Sequence, residues 1–299
     1  MIRAITMKTL NIIGAGRVGR TLAALWQRQN HFEIQDVLNR TPESARHAVA
    51  FIGVGRAAQA LAAMRPADVW LLATADSDIL RAATRLATSG VLRTGDVAFQ
   101  CSGALPSNEL RSAIMPGVHV ASVHPLKSFV DPAEAVRTFA GTYCAAEGDA
   151  AALTLLKPAF EHIGARVTEI DPQFKTVYHA ASVMVCNYLT ALMEAGLQCY
   201  EKAGLPRATA SAMMEPLVRE TVDNVFNLGT VKALTGPLAR GDTAVVERQL
   251  HALNEFDPRI AEIYRALGVM AVELSRAQGG ADAPALHGLE TLLRIKAKP

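Results

Sequence analysis

The stretch Leu10-Asn11-Ile12-Ile13-Gly14-Ala15-Gly16-Arg17-Val18-Gly19 runs a short apolar segment straight into a Gly-x-Gly-x-x-Gly turn. In that pattern each glycine has a mechanical task. Gly14 makes the tight strand-to-helix turn, Gly16 lets the main chain approach a pyrophosphate, and Gly19 lets the helix pack close on the strand. The amides and positive end of the following helix then attract phosphate. A helix over 17–29 is expected next, with Val18, Leu22, Leu25 and Trp26 on one face, and a second apolar run, Ile34 to Leu38, follows it. The order predicts a dinucleotide-binding fold in which Gly14, Gly16, Arg17, Val18 and Gly19 cradle the phosphates. Alone, the three glycines would equally serve plain helix-on-strand packing; their context favours the nucleotide.

The second run ends in Asn39-Arg40-Thr41, about 20 residues after the last glycine, where a carboxylate would hold the ribose hydroxyls of NAD. No carboxylate ends this run. Asn39 and Thr41 offer hydrogen bonds and Arg40 a planar cation, a set suited to the 2′-phosphate of NADP; the plain alternative is a solvated arginine in a turn. A competing motif, Gly53-Val54-Gly55-Arg56-Ala57-Ala58, follows a segment, Glu43 to Ile52, that reads as an alanine-rich helix. Gly53 to Gly55 are therefore expected to end that helix rather than to bind phosphate.

With 299 residues and 50% hydrophobic content, the chain is long enough for two well-buried domains. Thirty basic against 28 acidic residues leave almost no net charge, and no basic run is present, which argues against a nucleic-acid or anionic-membrane partner. No signal-like segment and no uncharged apolar span stands out, so no membrane partner and a cytoplasmic location are expected. Cys101, Cys144, Cys186 and Cys199 lack Cys-x-x-Cys spacing and the histidines form no His-x-x-x-His pair, so reduced structural thiols and no metal are expected.

Strands are expected near Leu10 to Ile13, Ile34 to Leu38, Val69 to Ala73, Val97 to Cys101, Val118 to Ser122, Thr142 to Ala145 and Arg166 to Ile170, alternating with helices as in a parallel sheet flanked by helices. After Asp171-Pro172 the pattern is helical, with breaks at Gly204-Leu205-Pro206, Gly229, Gly236-Pro237, Asp257-Pro258 and Gly279-Gly280. The expected architecture is an α/β Rossmann domain, a doubly wound parallel sheet over 1–170, followed by an all-α domain over 171–299. The first helix of that second domain, about Gln173 to Ala203, would be about 45 Å long and is apolar nearly all round. It is expected to be buried, with one face set against a second copy in a homodimer. On it Lys175, His179, Ser182 and Cys186 form a polar stripe expected to face a cleft. A solvated first-turn lysine and a core histidine are the plain alternatives, and Tyr178 and Asn187 read as packing residues beside the stripe.

Carboxyl ends of strands in open sheets face the ligand crevice, which makes His124, at such an end beside Pro125, a candidate proton donor; a turn histidine is the alternative. The loops Thr74-Ala75-Asp76-Ser77-Asp78 and Cys101-Ser102-Gly103 lie on the same side, with Thr74, Ala75, Asp76 and Ser102 as candidate cofactor contacts. Asp76 or Asp78 equally reads as the N-cap of a helix from Ile79, and Asp242 as the cap of a helix from Thr243 that leaves Arg240 free for a substrate carboxylate.

The chain resembles the NADP-dependent oxidoreductases that join a Rossmann domain to an all-helical one, a group including β-hydroxyacid dehydrogenases, ketopantoate reductases and pyrroline-5-carboxylate reductases. It is most similar to a bacterial family whose C-terminal domain has no assigned function. The resemblance rests on Gly14 to Gly19, on Ser122-Val123-His124-Pro125-Leu126-Lys127-Ser128-Phe129, on Tyr178-His179-Ala180-Ala181 with Asn187-Tyr188, and on Leu234-Thr235-Gly236-Pro237-Leu238-Ala239-Arg240-Gly241-Asp242. It implies hydride transfer between NADP(H) and a small carbonyl, imine or hydroxyl substrate bound between the domains. β-Hydroxyacid dehydrogenases place a lysine and, four residues later, an asparagine early in the interdomain helix; this chain has Lys175 and then His179. Lys175, His179 and His124 are the candidate catalytic residues, and which of them donates the proton stays open. A non-catalytic NADP-binding redox sensor or partner-binding module is the alternative function.

Overall fold

Every side chain from Leu10 to Ile13, from Val69 to Leu72 and from Val97 to Gln100 is buried, the pattern of strands covered on both faces. The computed structural model describes residues 7–294; residues 1–6 and 295–299, the outermost parts of the two expected domains, lie outside the described residues. Contacts divide the chain into two compact units, Met1–Met184 and Val185–Pro299. The division falls inside the long helix, and the segment 171–184 packs with the N-terminal unit.

In the first unit, strands β1 (Lys8–Ile13), β2 (Phe32–Leu38), β3 (Arg56–Ala57), β4 (Val69–Leu72), β5 (Val97–Gln100), β6 (His119–Pro125), β7 (Tyr143–Gly148) and β8 (Arg166–Glu169) form one sheet. Its order is β3-β2-β1-β4-β5-β6-β7-β8, the doubly wound arrangement with its switch point between β1 and β4. All neighbours are parallel except β6 and β7, which are antiparallel. The parallel sheet expected from the sequence carries one reversed pair there, because the connection after Pro125 holds only the short helix α5 (Pro132–Arg137) and returns the chain from the end at which β6 finishes. Two-residue β3 is too short to carry a period and was not expected.

Helix α1 (Arg17–Arg28) presents Leu22, Leu25 and Trp26 to the sheet, with Val18 half-buried at the margin. Trp26 meets Phe32 and Phe160 edge-on and donates from its indole N–H to the Ala159 carbonyl at 2.9 Å. Helix α2 (Pro42–Ile52) ends at Gly53 in the left-handed conformation, so the competing glycine motif is the expected helix stop. Helices α3 (Asp76–Ala87), α4 (Ser107–Ala113) and α6 (Ala150–His162) complete the cover. Helix α3 begins at Asp76 rather than Ile79, and Ala75 is its N-cap, so neither aspartate caps it. Asp78 instead pairs with Arg81.

The long helix consists of α7 (Lys175–Ser182), a π-helical turn over Val183–Asn187, and α8 (Tyr188–Lys202). The wider π turn breaks the stripe's register, and Cys186 is exposed while Lys175 is wholly buried. Within one chain the helix is not covered all round: Val177, Val185 and Tyr188 are exposed, because apolar periodicity records what a helix can bury and not what covers it. By length and composition alone, Pro172–Lys202 is long and apolar enough to cross a membrane, yet its first two turns are bonded into the sheet.

The second unit continues through α9 (Arg207–Leu228), α10 (Thr230–Ala233), α11 (Gly236–Arg240), α12 (Thr243–Phe256), α13 (Pro258–Gln278) and α14 (Ala283–Arg294), broken where the glycines and prolines predicted. Asp242 caps α12 by accepting from the Val245 amide at 3.1 Å. Val246, Val272, Leu286, Leu289 and Leu293 form one core of this unit. A separate apolar groove of about 560 Å³ runs between α8, α9 and α13, lined by residues such as Leu192, Met193, Leu217 and Leu267.

Candidate functional site

The turn after β1 leaves helix α1 with an open N-terminus. Gly14 has φ +87°, and a Cβ there would come within 2.6 Å of the Thr74 amide nitrogen, so only glycine fits between the first and fourth strands. A Cβ at Gly19 would meet Ala73 Cβ at 3.0 Å, which sets how closely α1 lies on the sheet. Gly16 differs, since its Cβ would meet nothing nearer than 4.0 Å. Gly16 is exposed and is the N-cap, no side chain caps the helix, and the first-turn amides of Arg17, Val18 and Gly19 have no partner within the helix. Space and unspent donors coincide there.

The end of β2 divides the three candidate residues by use. Asn39 accepts from the Ala15 amide at 2.7 Å and donates to Ser44 Oγ at 2.9 Å, while Thr41 caps α2 through the Ser44 amide. Both shape the loop, while the Thr41 hydroxyl proton and the second Asn39 amide proton have no partner among the described residues. Arg40 is exposed, and no hydrogen bond or ion pair engages its guanidinium among the described residues.

At the other side of the switch point, a helix turn reads a strand. Ser122 and His124 lie two apart on β6, about 6.6 Å along one face, and Lys175 and Tyr178 lie three apart on α7, about 4.5 Å along one side. Lys175 Nζ donates to Ser122 Oγ and, at 3.0 Å, to Glu147 Oε1. Glu147 sits directly across from Ser122 in the antiparallel pair, and its carboxylate also accepts from the Ser107 amide, at 2.9 Å, and from the Ser107 hydroxyl. Both charged side chains are at most 1% exposed. Burial lowers the pKa of the Lys175 ammonium, and the neighbouring Glu147 opposes that shift. The lysine that the resemblance puts forward for catalysis therefore has no open atom; it fastens α7 to the sheet.

One turn further, Tyr178 Oη lies 3.1 Å from His124 Nδ1, with the rings edge-to-face. His179 stands edge-on to His124 at 5.7 Å between ring centres. Both imidazoles lie over Gly103, where a Cβ would overlap His179 Nδ1 and come within 2.9 Å of His124 Cε1. His179 Nδ1 is buried without a hydrogen-bond partner among the described residues. Burial, then the charges of His179 and Lys175, hold the His124 imidazole down at about 4 against the pull of Asp76, so His124 is neutral at pH 7. Burial pushes the Tyr178 phenol up to about 12.

Of the remaining candidates, Ser102 is buried in its turn: it donates to Asp76 at 2.6 Å and accepts from the Ala104 and Leu105 amides. Thr74 backs Gly14, and Ala75 is the exposed cap of α3. Arg240 is exposed at the end of α11 in the second unit. Tyr178, Ser122, Glu147 and Gly103 are site residues that the sequence did not single out for these contacts. The available signals were the alternation of Ser122 with His124 and the lone acid in the strand Tyr143–Gly148.

Residues 9–93 match the family described as NADP oxidoreductase, coenzyme F420-dependent, and residues 142–271 match a domain of unknown function, DUF2520. Among solved structures, protein TM1727 from Thermotoga maritima is 25% identical with TM-score 0.73, covering 91% of this chain and all 100% of its own. A candidate NADP oxidoreductase from Bacteroides fragilis is 24% identical with TM-score 0.67, covering 91% of this chain and 98% of its own. A reductive aminase from Aspergillus terreus, in complex with NADPH and ethyl-5-oxohexanoate, shares the fold at 17% identity and TM-score 0.60, covering 96% of this chain and 93% of its own. No curated protein sequence matches the chain significantly.

Two outcomes follow from this geometry. Glu147→Gln leaves a buried ammonium without its counter-charge and is expected to cost about 3–5 kcal/mol. Adding Lys175→Met should recover more than half of that. Both tryptophans, Trp26 and Trp70, are buried in the N-terminal unit, so urea titration by fluorescence reads the effect where it arises, and a double variant no more stable than the single one would contradict the ion-pair account. Stability should also fall as pH drops from 6.5 towards 4, because the unfolded His124 takes up a proton that the folded ring refuses. The same titration repeated at pH 7 and pH 5 should show a smaller loss in His124→Gln; an equal loss in both proteins would rule His124 out as its source.

Proposed function

We propose that the chain is an NADP(H)-dependent oxidoreductase acting on a small carbonyl, imine or hydroxyl compound at the carboxyl edge of the first unit's sheet. The observation that carries the reading is the open glycine turn at α1, whose unspent amides and positive helix end suit a pyrophosphate. Residues 14–19 would hold the paired phosphates, and Arg40, the one residue of its trio not already engaged, would take the 2′-phosphate. The NADP oxidoreductase match over 9–93 and the NADPH of the reductive aminase that shares this fold point the same way. When bound, the nicotinamide supplies the hydride donor or acceptor. The chain's own part in the chemistry falls to the neutral His124 and its neighbour His179, beside strand ends that face such ligands in open sheets. Lys175 acts behind them as a positioning residue.

The proposal extends to a homodimer. Leu217, Phe226 and Leu228 on α9 and Val185 and Tyr188 on the long helix are large apolar side chains left exposed in one chain, which a second copy would cover. Sizing chromatography with light scattering should give twice the chain mass, reduced in Phe226→Asp; a monomeric wild type would refute the pairing.

Fluorescence titration with NADPH and NADH tests the cofactor. Arg40→Ala should weaken NADPH binding by about 10- to 100-fold and leave NADH within about twofold, the loss of charge-assisted bonds to one phosphate. Equal affinity of the wild type for both nucleotides removes the Arg40 argument, and NADPH binding without turnover across a carbonyl and imine panel overturns the enzymatic reading.

A further inference from the structure

His124 is the titratable ring at the centre of the site, and its usefulness to a substrate depends on which nitrogen carries its single proton. Nδ1 faces the Tyr178 hydroxyl at 3.1 Å. Nε2 has no partner among the described residues and is not one of their buried unpartnered atoms, so it is the nitrogen that reaches open space. Tyr178 itself is fixed from behind, because it lies one helical turn beyond Lys175, and the buried Lys175–Glu147 pair sets the position of that turn on β6. Gly103 lies under both imidazoles, where a side chain would displace them.

We infer that Tyr178 is a positioning residue that sets the tautomer of His124: its phenol donates to Nδ1, the ring's proton resides on Nε2, and His124 offers the site a neutral hydrogen-bond donor. The inference deepens the reductase reading and rests on it for its chemical meaning. A phenol that keeps its proton needs an acceptor for it, and His124 Nδ1 is the one that Tyr178 Oη meets among the described residues; with Nδ1 accepting, the single N–H of an uncharged ring falls on Nε2. An uncharged imidazole donor can polarise a carbonyl without presenting a full charge to it.

The substrate class is narrowed by the same geometry. An Nε2–H donor needs a lone pair to bind, which a carbonyl oxygen or an unprotonated imine nitrogen has. An iminium N–H would meet it donor to donor. Lys175 cannot supply a cation for a substrate carboxylate either, because its charge is already paired and buried. The first unit's polar groups near His124 therefore suit an uncharged C=O or C=N group.

Long-range proton–nitrogen NMR on the full-length, ¹⁵N-histidine-labelled protein tests this without a cofactor. His124 signals are assigned by their loss in His124→Gln. In the wild type at pH 7.5 the proton is expected on Nε2, and Tyr178→Phe should shift the Nε2–H to Nδ1–H ratio about fivefold towards Nδ1–H, the weight of one lost hydrogen bond. Unchanged tryptophan fluorescence verifies that the variant is folded, and the wild-type spectrum alone decides if it is not. A wild-type proton on Nδ1 would overturn the inference, as would an unchanged ratio in folded Tyr178→Phe. NADPH titrated into the same samples keeps the two ideas apart: absent binding with the proton on Nε2 supports the tautomer assignment and counts only against the reductase reading.

Discussion

A single buried ion pair determines how the chain leaves its sheet. Lys175 begins α7 with its ammonium held by Glu147 and Ser122, two residues made neighbours by the antiparallel register of β6 and β7. Removing two charges from water is expensive, and it is tolerated here because every contact is a charge-assisted hydrogen bond and Ser107 satisfies the rest of the carboxylate. What the pair confers is register more than stability. With Lys175 fixed, the next turn of α7 brings Tyr178 to His124 and His179 to the same loop. One slip of the helix would separate all three contacts.

The two ends of the candidate site are built on different principles. At the glycine turn the chain withholds side chains, so that backbone donors and a helix end stay open. Around His124 it does the reverse: Gln100, Ser102, Ser122, Glu147 and Lys175 are all buried and bonded to one another or to the main chain. A loose end suits a ligand with many acceptor oxygens, and a rigid end suits a reacting group that must be held at one angle.

Much of this fold was legible because buried strands and glycine stops leave local marks. The seven expected strands, the helix stop at Gly53 and the breaks of the helical unit all depend on residues adjacent in sequence. Strand direction does not, which is why the reversal at β7 was missed. In the site, His124 and Lys175 could be picked out from their positions, but their roles could not. Lys175 is spent on Glu147, 28 residues away, and Asn39 and Thr41 also shape their own loop. Tyr178 passes for a packing residue until the strand 54 residues earlier is laid beside it. Long-range pairing sets these uses, and no local pattern records it.

The account joins an open phosphate cradle to a rigid proton-bearing end on one sheet edge, and hydrogen exchange read by mass spectrometry with and without NADPH examines both at once. It predicts that NADPH slows exchange in the peptides spanning Gly14 to Gly19 and Asn39 to Thr41, and in those spanning Ser102-Gly103 and His124, with α12 to α14 unchanged. Exchange that is unaltered over Gly14 to Gly19 at saturating NADPH would contradict it.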